Sequence, residues 1–402
     1  MPVTPDDVAR AASVIADDVV RTPTQTSSTL SDLTGAEIVV KFENLQFTGS
    51  FKDRGAANHL RSLGADGIAR GVVAMSAGNH AQGVAYHAAR LGTEAVIVMP
   101  ESAPFSKVTN TGSLGARVVQ AGSNLAECRM ELELLQAAHG YHFVPPYDDA
   151  AVIAGQGTVA LEMLEDRRDL DVLVVPFGGG GLLSGMALAA KAVRPDIEII
   201  GVQVGAYPQA ASRFHGRPIE PEPTETVADG IAVKGLGDLT TPIVADLVDD
   251  VIVVSERDTE RAIALYAEIE KTVAEGAGAV PLAAVLADRQ RFAGRKVGLV
   301  LSGGNIDSRI LASVLTRALV RTDRVSALRI TVSDLPGQLA PIVETIAGRG
   351  ANVIEIEHRR TFDDISVRTV NIDLVIETRD PAHRDAVVAD LAALGHTVDV
   401  VA

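Results

Sequence analysis

"DVLVVPFGGGGLLSG" (residues 171–185) runs an apolar, β-branched segment into four successive glycines and then into a helical pattern beginning near Leu182. Strand, glycine loop and helix in direct succession form the unit from which parallel sheets are built, and ligands of such sheets bind at the carboxyl ends of the strands. Successive glycines let backbone N–H groups close on an anion, and the start of the helix adds its positive end. Gly178, Gly179, Gly180, Gly181 and Leu182 are therefore candidate phosphate contacts. The loop is not a dinucleotide fingerprint, because Leu183 and Ser184 fall where a third glycine would sit, and the next strand ends in Gln203 rather than an acidic residue. It also lacks the Gly-Lys-Ser/Thr of a nucleoside triphosphate loop. A tight turn with no ligand is the competing reading.

Outward from this unit the same alternation recurs. Strands are predicted at "EIVVKF" (37–42), "GVVAMS" (71–76), "EAVIVMP" (94–100), "ARVVQA" (116–121), "IEIIGVQV" (197–204), "DVIVVS" (250–255) and "KVGLVLSGG" (296–304), besides 171–177. Helical stretches such as "HAQGVAYHAARLG" and "LLSGMALAAKAV" lie between them. The fold class is α/β, with mostly parallel sheet covered on both faces. The pattern changes after about residue 322, where "RTDRVS" reads as a polar connector. The tail then predicts strand 327–332, helix 337–349, strands 352–360 and 366–378, helix 381–394 and strand 396–401. That βαββαβ order is a split-βαβ unit, and it contains no catalytic-looking cluster.

Composition narrows the function classes. The 402 residues are 47% apolar and 22% charged, as in globular proteins, and no apolar run nears the roughly 20 residues that span a bilayer. A net charge of −16 without a basic block argues against a nucleic-acid partner. The single cysteine, Cys128, excludes an intrachain disulfide and a thiolate metal site, and no histidine pair has zinc spacing. "MPVTPDDVAR" lacks the basic and apolar regions of a secretory leader. The expectation is a cytoplasmic protein with no membrane partner and no metal.

Three further loops resemble the glycine loop in placement. In "NLQFTGSFKDRGA" (44–56), Lys52 follows Phe51 among small residues at a predicted helix start, where a surface cation is unfavourable. In "SAGNH" (76–80), Ser76, Asn79 and the backbone amides offer donors for a carboxylate, while His80 alone reads as a packed or capping residue rather than a catalyst. In "SGGN" (302–305), Ser302 caps a helix or meets a ligand. An amine among apolar neighbours plus an anion cradle suggests pyridoxal 5'-phosphate, which requires a lysine, a phosphate site and a partner for its ring nitrogen. Desolvation would lower the Lys52 pKa and make it a nucleophile and base.

"KFENLQFTGSFKDRGA", "SAGNHAQGVA", "GQGTVALE", "FGGGGLLSG" and "LSGGNID", in this order over residues 1 to about 320, resemble the threonine dehydratases (threonine ammonia-lyases). These are fold-type II pyridoxal phosphate enzymes of the tryptophan-synthase-β-like superfamily. The tail, "DLPGQLAPIVETIAGRGANVIEI", resembles an ACT domain. The resemblance implies a catalytic domain over 1–321, with a smaller subdomain of roughly 50–150 inserted, and an ACT-like regulatory domain over 326–402. It implies that Lys52 forms a Schiff base with the cofactor, Phe51 lies over the ring, Asn79 meets the ring hydroxyl, Gly178 to Leu182 hold the phosphate and Ser302 faces the pyridine nitrogen. Ser76, Ala77, Gly78, Asn79 and His80 would hold the substrate carboxylate, with Ser76 joining Lys52 among the catalytic positions. Glu275 in "EGAGAV" aligns with an active-site acidic position, and Gly337 and Asn352 fall in the effector regions of the tail.

The implied activity converts L-threonine to 2-oxobutanoate and ammonia, with L-serine to pyruvate as a side reaction. Serine racemase and hydroxyaspartate dehydratase are the alternatives on the same fold; an amino-acid sensor is the alternative outside enzymes. Racemases of this fold carry a serine at the position of Ala77, and a methyl group cannot donate a proton, so elimination is expected over racemisation. Relatives that bind a divalent cation do so through carboxylates where this chain has Gln203 and Gln209; amides lack the charge a hard cation needs, which leaves only a monovalent ion on backbone carbonyls open. A homodimer or homotetramer and regulation by isoleucine or valine complete the expectations, with ligand-free dimerisation as the other reading of the tail.

Overall fold

The computed structural model describes residues 3–359 and 366–401, so Arg360, the last residue of the expected strand 352–360, lies outside the described residues. The chain forms two compact units, Met1–Asp307 and Ser308–Ala402.

The first unit contains two parallel sheets. The larger is built from β1 (Thr24–Ser27), β2 (Glu37–Phe42), β7 (Val172–Pro176), β8 (Glu198–Val204), β9 (Asp250–Val254) and β10 (Lys296–Leu301), in the order β1-β2-β10-β7-β8-β9. Only β1 runs antiparallel, on the edge against β2. The smaller sheet has the order β5-β4-β3-β6, all parallel, from β3 (Val72–Met75), β4 (Ala95–Met99), β5 (Arg117–Gln120) and β6 (His142–Phe143). All eight predicted strands are present. The strand predicted over 296–304 stops at Leu301, because Gly303 leaves the ladder for a single bridge to Ser50. β4 and β7 are buried along their whole length, as expected of strands covered on both faces.

One helix, Ala150–Asp166, sets the spacing of the active end. It carries "GQG" at 155–157, and its glycines let backbones touch. A Cβ on Gly155 would overlap the carbonyl of Arg54 in the helix Lys52–Ser62. A Cβ on Gly157 would lie 2.6 Å from the carbonyl of Gly185 in the helix Gly181–Val193, and one on Gly185 would overlap the carbonyl of Ile153. The lysine-bearing and glycine-loop helices are thus wedged against opposite sides of one spacer at backbone-contact distance. Packing this close admits no added methylene without displacement.

The second unit pairs β12 (Asn352–Arg359), β13 (Thr369–Glu377), β11 (Val325–Ser333) and β14 (Thr397–Val400) in that order, all antiparallel. Helices Leu339–Gly348 and Pro381–Ala393 complete the βαββαβ order, over a core that includes Leu328, Ile330, Ile342, Leu374 and Leu391. The helix Ser308–Arg321 groups with this unit, so the compact division falls ahead of the "RTDRVS" connector. Among the described residues, no helix is long and apolar enough to cross a membrane.

Candidate active site

Lys52 is placed by a turn that zips onto the end of β10. Gly49 has φ +74°, a conformation that favours glycine. The Asp53 carboxylate accepts from the backbone N–H of Thr48 at 3.0 Å and from its hydroxyl. The Phe51 N–H donates to the Ser302 carbonyl at 3.1 Å, and the Gly304 N–H donates to the Gly49 carbonyl at 2.9 Å. These bonds bring Lys52 beside Ser302. The turn does not follow β2 directly, as its loop-like sequence suggested; a 3₁₀ turn, Glu43–Leu45, intervenes. Lys52 Nζ sits 5.1 Å from the Phe51 ring centroid and donates to the Pro146 carbonyl at 2.5 Å. Burial pushes the amine down to about 8, partly opposed by the negative charge of Glu275.

The second loop closes the helix Asn79–Arg90 at its N-terminus. The Gly78 N–H donates to Ser76 Oγ at 3.1 Å, and no side chain caps the helix, which leaves its first amides for an anion. The Ala77 methyl packs against the small-sheet core. His80 is buried, its Nε2 is hydrogen-bonded to the Val144 carbonyl at 2.9 Å, and burial together with the Lys52 charge lowers it to about 3. A neutral imidazole whose one N–H is donated to the Val144 carbonyl offers a substrate carboxylate neither a charge nor a ring donor, which leaves His80 only its backbone amide for that role.

Asn79 belongs to a chain that crosses the site. Its Nδ2 donates to Glu275 Oε1 at 2.7 Å, and its Oδ1 accepts from Asn305 Nδ2 at 2.8 Å. Asn305 Nδ2 also donates to the Thr48 carbonyl at 2.6 Å. Burial, and next the charge of Asp229, raise Glu275 to about 7 against the opposing Asn79 bond. Gly303 must be glycine here, since its Cβ would overlap Glu275 Oε1. Sequence reasoning passed over Asn305, although it is the last residue of "SGGN".

The glycine loop fits a phosphate. Gly180, at φ +95°, precedes the helix Gly181–Val193 without any side-chain cap, so the amides of the first turn lack intrahelical partners. A Cβ would stand 2.5 Å from the Tyr147 ring on Gly179, 2.9 Å from Thr240 Cβ on Gly180 and 2.6 Å from Gln156 Oε1 on Gly181. On Gly178 it would lie 3.1 Å from the backbone of Ile231. A neutralisable amine, an uncapped glycine cradle and the buried Ser302 suit pyridoxal 5'-phosphate in charge and shape.

"PPYDD" (145–149), unremarked in the sequence, ties these parts together. Pro146 accepts from Lys52, and the Tyr147 ring covers Gly179. The Asp148 carboxylate accepts from the amides of Asp238, Leu239 and Thr240 at 2.8, 2.9 and 3.3 Å, respectively. Asp149 caps the spacer helix through Val152 and pairs with His59 of the lysine helix at 2.9 Å. A proline pair followed by an aromatic and two carboxylates just before a helix was the available signal.

Of the remaining predicted positions, Gln203 spends its amide inside the fold, donating to Phe177 O at 3.3 Å and accepting from Ala211 N at 2.8 Å. Among the described residues, no three His, Cys, Asp or Glu side chains gather to hold a metal ion. Gly337 and Asn352 are not brought together: Gly337 precedes the helix Leu339–Gly348, and Asn352 follows its far end. Asn352 lines a cavity of about 410 Å³ with Arg324, Gly350, Glu377, Thr378 and Arg379.

A family model described as "Pyridoxal-phosphate dependent enzyme" matches residues 15–303. The L-threonine ammonia-lyase of Thermotoga maritima is 44% identical over 400 residues, covering 99% of this chain and all of its own. Among solved structures, maize serine racemase superposes with a TM-score of 0.74 at 38% identity, covering 80% of this chain and 99% of that one. The threonine deaminase of T.th. gives 0.71 at 40% identity, covering 75% and 98%.

Proposed function

The chain belongs to the pyridoxal-phosphate dependent enzymes, and on that premise we propose that it is a threonine ammonia-lyase, converting L-threonine to 2-oxobutanoate and ammonia and L-serine to pyruvate as a side reaction. The observation that carries the proposal is the Lys52 amine, buried, lowered to about 8 and tied through Pro146 to the segment that covers the glycine cradle. The near-full-length identity to an enzyme of that name supports the choice of substrate.

Gly178 to Leu182 would hold the cofactor phosphate, Ser302 would face the ring nitrogen and Asn79 the ring hydroxyl. Bound there, pyridoxal phosphate would supply an electron sink for the charge left when Cα loses its proton. The neutral Lys52 amine takes that proton, and the uncapped amides at the start of the helix Asn79–Arg90 orient the substrate carboxylate. The β-hydroxyl leaves as water, taking up one proton to match the one removed from Cα; the enamine product tautomerises to an imine, adds water and releases ammonia, with no net oxidation or reduction. Ala77 offers no proton to the opposite face of Cα, which favours elimination over racemisation.

The tail is read as an ACT-like module that senses an amino acid, with isoleucine and valine as the leading effectors. Asn352 and the cavity it lines supply arginine for a carboxylate and Glu377 for an ammonium group. A cytoplasmic homodimer or homotetramer is the setting proposed. The test is a substrate panel of L-threonine, L-serine, allothreonine and hydroxyaspartate, with detection of 2-oxo acid and of D-serine. Turnover led by L-threonine and lost in Lys52→Ala supports the reading; substantial D-serine, or hydroxyaspartate as the best substrate, replaces it.

A further inference from the structure

Gln156 is the unexplained polar residue of the spacer helix. It is 1% exposed, and among the described residues neither its Oε1 nor its Nε2 has a hydrogen-bond partner. Buried polar groups are almost always paired, and an unpaired one bears its full desolvation penalty. The amide lies between the two helices that make the site. Its Oε1 stands 2.6 Å from where a Gly181 Cβ would be, at the first turn of the glycine-loop helix. Its Nε2 stands 3.0 Å from the corresponding point on Gly55, one turn beyond Lys52. The neighbouring polar groups are committed elsewhere: the Thr240 hydroxyl donates to the Gly179 carbonyl at 2.9 Å, and Asp148 accepts from the amides of 238–240. Gln156 thus brings an idle side-chain donor to the uncapped helix start, and a half-turn of its terminal amide turns Nε2 toward Gly181.

We infer that Gln156 hydrogen-bonds the cofactor phosphate from beneath the glycine cradle, as a side-chain donor added to the backbone amides. The inference rests on the cradle being the phosphate site. It accounts for an amide where an apolar side chain would pack at lower cost in the empty protein.

The experiment compares pyridoxal 5'-phosphate with pyridoxal, which keeps the aldehyde and lacks the phosphate. Apoprotein of the unaltered chain, Gln156→Met and Gln156→Glu is titrated with each, following visible absorbance, and the melting temperature of each apoprotein is recorded. Gln156→Met is expected to bind the phosphorylated aldehyde about tenfold more weakly, pyridoxal within twofold of the unaltered chain, and to melt no lower as apoprotein. Gln156→Glu, which sets a carboxylate against the phosphate, is expected to lose about a hundredfold, again only for the phosphorylated form. Inorganic phosphate should raise the melting temperature of the unaltered apoprotein more than that of Gln156→Met. Equal losses for both aldehydes, or unchanged affinity for both, would overturn the inference. An unaltered chain that does not distinguish the two aldehydes would instead refute the cradle as the phosphate site.

Discussion

The glycines packed around the spacer helix and the glycine loop and those of the second unit do opposite things. Around the site, Gly155, Gly157, Gly179, Gly181 and Gly185 each lie where a single carbon would collide with backbone, a ring or an amide. In the tail, Gly337, Gly348, Gly350 and Gly395 have nothing within 4 Å of an added Cβ. The polar groups differ in the same sense. Asn79, Asn305 and Glu275 are linked to one another, whereas Arg324, Asn352, Glu377 and Arg379 line their cavity as exposed side chains. Chemistry at Cα demands a fixed amine and fixed donors, and close packing supplies them. Reversible effector binding tolerates looser groups, so the two regions should respond to mutation on different scales.

The largest effect belongs to the amine. Lys52→Ala should lower threonine turnover by on the order of 10³-fold or more, measured as 2-oxobutanoate formation, because both the cofactor's anchor and the base are removed. Next come the glycines. Gly185→Ala, which meets the Ile153 carbonyl, should destabilise the protein by about 3 kcal/mol in a denaturant titration. Gly348→Ala, near the open end of a tail helix, should stabilise it by about 0.5–1 kcal/mol. Equal costs for the two would erase the contrast.

Glu275 tests the electrostatics of the site. Its carboxyl is raised from 4.5 to about 7, so the folded apoprotein binds the extra proton between those values. The stability this proton confers is fully present below pH 4.5 and is lost as the pH rises through 7. Glu275→Gln should therefore flatten the fall in melting temperature between pH 4.5 and 7 and melt higher than the unaltered protein above that range. A parallel fall in both proteins would remove Glu275 as the cause. The smallest effects belong to the tail cavity: Arg379→Ala or Asn352→Ala should leave the rate without effector within about twofold and abolish any response to isoleucine or valine.

Much of this was legible before folding was considered. The parallel strands stood out because burial on both faces demands continuous apolar runs, and the glycine and serine loops because ligand approach demands small residues. β1, with the polar sequence "TQTS", and the two-residue β6 carried no such pattern; neighbouring strands alone make them strands. The 145–149 segment and Asn305 escaped notice because their roles arise from contacts between residues distant in sequence. Gly337 and Asn352 stand at the two ends of the helix Leu339–Gly348, as the predicted strand, helix and strand order of the tail places them. Gln156 sat inside a recognised motif, but its idle amide shows only when both flanking helices are in place.

The central claim is that Lys52, and no other amine, holds the cofactor. Lys41 is the sharpest competitor, since it is fully buried, but its amine is spent on the Thr22 carbonyl at 2.7 Å and Glu162 at 2.6 Å. Borohydride reduction of the protein loaded with pyridoxal 5'-phosphate, followed by digestion and mass spectrometry, reads the attachment site directly. The account predicts the pyridoxyl mass on the peptide containing Lys52; the same mass on the peptide containing Lys41, or on no lysine at all, would contradict it.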